Sequence, residues 1–98
     1  MSEFRDLLNE QLKDPEFKKE WDDMQPEMDV IRAMIDARIE QNLTQKELAK
    51  RTGIDQADIS KLENGTRNPS LKLLKRLAHG MGMQLKIEFV PMQTQLRK

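Results

Sequence analysis

The sequence predicts an all-α bundle built around two short helices joined by a tight turn, with an N-terminal helical arm and a C-terminal strand that pairs in a dimer. Three observations carry this. Apolar residues recur at helical spacing between well-placed Pro, Gly and Asn residues; two successive helix starts flank Gly53; and only residues 83–90 alternate with period two. The expected organisation is an acidic helical arm at 1–27, a compact domain at 28–82, a dimerisation strand at 83–90 and a loose basic tail at 91–98.

With 98 residues, 37% of them hydrophobic and 35% charged, the chain has material for one small core and no large enzyme. It contains no cysteine, so neither a disulfide nor a thiolate metal site substitutes for burial. The start, Met-Ser-Glu-Phe-Arg-Asp, lacks the apolar core of a signal peptide, and no apolar run approaches the roughly 18 residues of a membrane span. A soluble cytoplasmic protein with no membrane contact is expected.

The net charge of zero conceals an asymmetry. Residues 1–40 carry twelve acids against six bases; residues 41–98 carry eleven bases against five acids. The second part has the electrostatic footprint of a nucleic-acid-binding half, and the first suits a basic partner.

Along the chain, Ser2 is a candidate cap for a first helix with Phe4, Leu7, Leu8 and Leu12 on one face. Asp14-Pro15 opens a second helix, Pro occupying the first position where its missing N–H costs nothing; Phe17, Trp21 and Met24 share a side. Pro26 is expected to restart the chain into a third helix with Met28, Ile31, Ile35 and Ile39 inward, closing at Asn42 in a left-handed exit. Thr44 and Glu47 form a capping box, with Leu43 and Leu48 as hydrophobic staple. After Gly53 the pattern repeats, Asp55 as cap and Ile54 with Ile59 as staple, which is a helix-turn-helix. Ser70 caps a last helix that turns Leu71, Leu74, Leu77 and Ala78 inward and ends at Gly80. Leu85, Ile87 and Phe89 then alternate with Lys86 and Glu88; the cheapest ladder partner for a lone strand is the same strand of a second copy, the alternative being an extended tail packed on the chain's own helices.

Gln45, Ala49, Gly53, Ile59, Leu62 and Glu63-Asn64-Gly65 resemble the DNA-binding domain of Cro and phage-repressor-type regulators, the XRE family, over about residues 28–80. The resemblance implies a lambda-repressor-like fold. Leu12 to Phe17, Pro26-Glu27, and Leu43-Thr44-Gln45 through Arg67-Asn68-Pro69-Ser70-Leu71 further resemble HigA-type antitoxins, which inhibit small basic RelE/HigB-like ribonuclease toxins and act on their own operon.

The resemblance implies that the second helix of the motif enters the major groove of double-stranded operator DNA. Gln56, Ala57 and Lys61 then face base edges: Gln56 suits adenine, Lys61 guanine, and Ala57 a thymine methyl. Thr44, Gln45, Ser60, Asn64, Thr66 and Arg67 surround that helix and suit phosphates. Asp55 and Asp58 depart from the Ser or Thr common in relatives; they suit the helix dipole but repel phosphate. For the arm the resemblance implies a toxin-binding surface comprising Phe4, Leu7, Leu8, Phe17, Glu20, Trp21 and Asp22, acidic residues interleaved with apolar anchors.

Catalysis is not expected. The sole histidine, His79, stands at a helix end with no Ser/His/Asp set, metal cluster or phosphate-cradling glycine loop, so no cofactor or metal is implied. The competing functions are an antitoxin that also represses transcription, a stand-alone dimeric repressor, and a protein-only adaptor that no longer binds DNA.

Overall fold

The computed structural model describes residues 2–92. Five helices follow in order: α1 (Ser2–Gln11), α2 (Pro15–Glu40), α3 (Gln45–Thr52), α4 (Gln56–Glu63) and α5 (Leu71–Gly80). α3 packs on both α4 and α5, and α2 packs on α4. α1 already includes Ser2, so its cap position lies outside the described residues.

The first correction concerns Pro26. Where two helices were expected, α2 runs unbroken for 26 residues with Pro26 inside it. A proline in a helix interior removes one hydrogen bond and crowds the carbonyl four residues back. Pro26 and Asp22 are both exposed, which leaves the freed carbonyl on the solvent side of the helix, and Gln25 donates its side-chain amide to the Trp21 carbonyl at 3.2 Å in the same turn. The N-terminus of α2 forms as expected: the Asp14 side chain accepts from the Glu16 N–H, and Pro15 stands first in the helix.

The core comprises Met34, Leu43, Leu48, Ile54, Ile59, Leu62, Leu77 and Met81, with Val30, Ile31, Ala37, Ala49, Leu73, Leu74 and Met83 against it. Both staples, Leu43 with Leu48 and Ile54 with Ile59, are thus buried. α2 is rotated from the expected inward face: Met34 is buried, whereas Ile39 is 57% exposed and Met28 and Ile35 are only half-buried. Leu71, expected inward, is likewise exposed. Phe17 and Trp21 are absent from the core; they stack on each other, ring centroids 6.3 Å apart. The radius of gyration, 16.4 Å, exceeds the about 13 Å of a compact domain this long, in keeping with an arm that stands off the bundle.

The turns follow their residues. Asn42 adopts positive φ (59°) after α2, and Gly53 adopts φ 75° between α3 and α4, a conformation that a side chain would strain. Gly80 permits the α3–α5 approach, since a Cβ there would collide with the Thr52 methyl. Thr52, itself buried, donates its hydroxyl to the Leu48 carbonyl and accepts from the Ile54 N–H, satisfying its polar atom within the turn.

Residues 83–90 form no strand. Met83 donates its N–H to Ala78 and packs on the core, but beyond it the segment runs extended without a ladder, Ile87 61% exposed and Phe89 wholly so. Lys86 pairs with Glu88 of its own chain at 3.2 Å. Alternation prepares a chain for pairing; without a neighbouring strand there is no sheet. Of the tail, Pro91 and Met92 are exposed and the remainder lies outside the described residues.

Candidate nucleic-acid interface

α3 and α4 present the motif from well-capped starts. The Thr44 hydroxyl accepts from the Glu47 N–H at 3.0 Å while the Glu47 carboxylate accepts from the Thr44 N–H at 2.8 Å. These bonds, the backbone one foremost, hold the Glu47 pKa below the usual carboxylate range. α4 differs from expectation: Asp55 occupies the cap position but makes no side-chain capping bond.

A network fixes α4 relative to α2 and α3. Arg38 of α2 grips Glu63 at the end of α4 through two bonds, Nε to Oε2 at 2.8 Å and Nη2 to Oε1 at 3.0 Å, and donates a third to the Leu43 carbonyl at 2.9 Å. Gln45 adds its side-chain amide to Glu63 Oε1 at 2.9 Å. The Arg38 and Glu63 side chains are 15% and 8% exposed. Their hydrogen bonding raises the Arg38 pKa despite its burial. Gln45 therefore has its amide committed internally, a role its sequence position did not reveal.

Of the expected base-facing residues, Gln56, Ala57 and Lys61 are all exposed on α4, since Ile59 and Leu62 take the inward positions. Gln56 borders an open cleft of about 490 Å³ together with Thr44, Gln45 and Lys46, so the starts of α3 and α4 share one surface. Lys46 was not singled out by sequence; its charge in a helix's first turn beside Thr44 was the available signal. At the far end of α4, Asn64 Oδ1 accepts from the Thr66 N–H at 3.0 Å and hydroxyl at 2.8 Å, which shapes the exit turn. Ser60 is half-buried nearby. Arg67 forms an ion pair with Asp58 at 3.3 Å, both partly exposed. Sequence placed Asp58 as a repulsive charge; the fold pairs it with a residue expected to reach phosphate.

The arm residues separate into two groups. Phe4 and Leu7 are largely exposed, whereas Leu8, Phe17 and Trp21 are half-buried; Glu20 and Asp22 are exposed, Asp22 pairing with Lys18 at 2.8 Å. His79 is exposed at the end of α5, and no group of metal-ligating side chains occurs among the described residues. No helix among them is long and apolar enough to cross a membrane.

Residues 34–86 match the family model HTH_3, Helix-turn-helix. An uncharacterised HTH-type transcriptional regulator of Archaeoglobus fulgidus is 43% identical over 49 residues, 50% of this chain and 69% of that protein. The HTH-type regulator YqaF of Bacillus subtilis is 38% identical over 52 residues, 53% of this chain and 68% of that protein. Antitoxin HigA1 of Mycobacterium tuberculosis is 32% identical over 74 residues, 76% of this chain, which spans half of that protein's length. No solved structure gives a significant match. With more than half its length in that family match and the buried staples, the left-handed Gly53 and the exposed face of α4 all in place, the chain belongs to the helix-turn-helix family, a DNA-binding regulator's fold rather than an enzyme's.

Proposed function

We propose that this protein is an antitoxin that neutralises a RelE-like ribonuclease toxin by direct binding and represses its own operon as a DNA-binding dimer. The observation that carries the proposal is the arm. Phe17 and Trp21 lie outside the core, so they do not complete the bundle, and with Phe4, Leu7 and the surrounding carboxylates they offer apolar anchors in an acidic field. A ribonuclease presents a basic surface to RNA, the complement of this one. The relationship to HigA1 extends over 76% of this chain and supports the same reading.

Co-expression with any small basic protein encoded next to it tests this directly. The pair is expected to co-purify and the growth arrest caused by that protein to be relieved. Phe17→Ala with Trp21→Ala abolishes both effects while leaving DNA binding intact. Recovery of this chain alone, with promoter DNA bound, leaves the second reading, a stand-alone dimeric repressor. That reading is favoured by relatives such as the Archaeoglobus and Bacillus regulators, whose similarity covers only about half of this chain.

For repression, the segment carrying half-buried Leu85 and exposed Ile87 and Phe89 is proposed to pair with that of a second copy, with Lys86 opposite Glu88, placing two α4 helices in half-sites about 34 Å apart. Gln56, Ala57 and Lys61 contact bases, and Thr44, Ser60, Asn64, Thr66 and Arg67 surround the phosphates, while Gln45, expected among them, holds Glu63 at 2.9 Å and acts at most through its backbone. Binding of phosphate by Arg67 displaces Asp58. Asp58→Asn is thus expected to tighten binding to any duplex by up to about tenfold and to steepen the salt dependence by about one unit of slope. Fluorescence anisotropy of a labelled duplex across a KCl series measures both; weaker binding would show that Asp58 positions Arg67 instead of restraining it.

A further inference from the structure

Because α2 does not break at Pro26, apolar residues that the sequence divides between two helices fall on one face. Phe17, Trp21, Met24, Met28, Ile31 and Ile35 are spaced alternately four and three residues apart, the heptad seam along which one helix packs on another. At its lower end Met28, Ile31 and Ile35 line an open groove of about 350 Å³ with Glu63 and Asn64, at the exit of α4. The seam thus leads from the arm to the edge of the DNA-facing surface.

The two flanks differ in charge. On one side Lys18 pairs with Asp22 at 2.8 Å and Arg32 with Asp29 at 3.3 Å, so that edge is internally neutralised. On the other, Glu16, Glu20, Asp23 and Glu27 follow one another at helical spacing, and none forms an ion pair with a described residue. A second copy of this chain fits poorly, since it brings the same four carboxylates and its flanking cations are already engaged. A helix with an apolar seam and lysines or arginines along one edge fits both features.

We infer that the whole face of α2 from Phe17 to Ile35 is a docking seam for an amphipathic, basic-flanked helix of a partner protein, reaching Asn64 of α4. This rests on the arm being a partner surface and extends the footprint beyond the arm onto the DNA-binding domain.

The test uses the full chain, isotopically labelled, and two synthetic peptides of about 20 residues, enough to match the seam at 1.5 Å per residue. Both carry the same leucine seam; one is flanked by lysines, the other by glutamates. The lysine peptide is expected to shift amides of residues 17–35 and of Asn64, and the glutamate peptide not to bind. Replacing Glu16, Glu20 and Glu27 by Gln and Asp23 by Asn is expected to weaken the lysine peptide about tenfold, as loss of several exposed pairings implies. Met28→Glu abolishes the shifts at Asn64 while its circular dichroism remains native.

Shifts confined to residues before Pro26 overturn the seam and leave the arm reading standing. Absence of binding by either peptide also overturns the seam, while co-purification with the products of neighbouring genes still decides the arm. Self-association of the free chain that Met28→Glu abolishes would identify a second copy as occupant and likewise overturn it.

Discussion

Replacing Glu63 by alanine is expected to destabilise the bundle by about 3 kcal/mol, the low end of the cost of leaving one partner of a buried ion pair alone, because this pair keeps some contact with solvent. The cost is spread over three helices. Arg38 loses two of its three bonds and keeps only the Leu43 carbonyl, and the Gln45 amide loses its acceptor, so α2, α3 and α4 loosen together. Glu63→Gln is milder, because an amide oxygen still serves Gln45. The joint replacement Arg38→Met with Glu63→Leu removes both charges and is expected to recover most of the loss, since the pair's desolvation penalty disappears with it. Urea denaturation midpoints for the three variants and the parent chain measure this. A double variant as unstable as the single one would mean that the network stabilises through its geometry more than through the need to compensate a buried charge.

Lys61→Ala is expected to lose about 1–3 kcal/mol on the preferred operator and far less on random duplex, relaxing the sequence preference at one base position. Lys61 is exposed a turn and a half beyond Gln56 on a helix whose inward face is fixed by Ile59 and Leu62, both about 1% exposed. Arg67→Ala, at the helix exit, is expected to weaken all sequences alike and make the salt slope shallower by about one unit. The comparison is the ratio of affinities for operator and random DNA at one salt concentration. Equal changes in that ratio for both variants would place the reading face elsewhere, with the Thr44, Gln45 and Lys46 side of the cleft the first alternative.

The local signals were the legible ones. Thr44 with Glu47, Gly53, Asn42 and Ser70 each act within a few residues, so spacing alone identified the caps of α3 and α5 and the turns at Asn42 and Gly53, whereas the Asp55 side chain makes no capping bond to α4. Pro26 misled because its cost depends on whether the freed carbonyl meets water, and that follows from the exposed side of a helix not yet placed. The apolar positions of α2 are broad enough to permit more than one rotation. Only the packing of α4 selects Met34 over Ile39. Two decisive ion pairs, Arg38 with Glu63 and Asp58 with Arg67, join residues 25 and nine positions apart, beyond any local pattern. The alternation at 83–90 predicted a strand that does not form, because a strand needs a second strand to pair with and the described residues contain none.

The continuity of α2 also makes it a shaft that keeps the arm in phase with the DNA-facing domain. One residue inserted just before Met28 would turn everything N-terminal to it by about 100° about the helix axis. Seven would return it to within about 20° while lifting it some 10 Å further from the bundle. The angular position of the arm relative to α4 is therefore set by counting residues. Substitutions on the exposed face of α2 leave that direction unchanged, whereas insertions and deletions alter it.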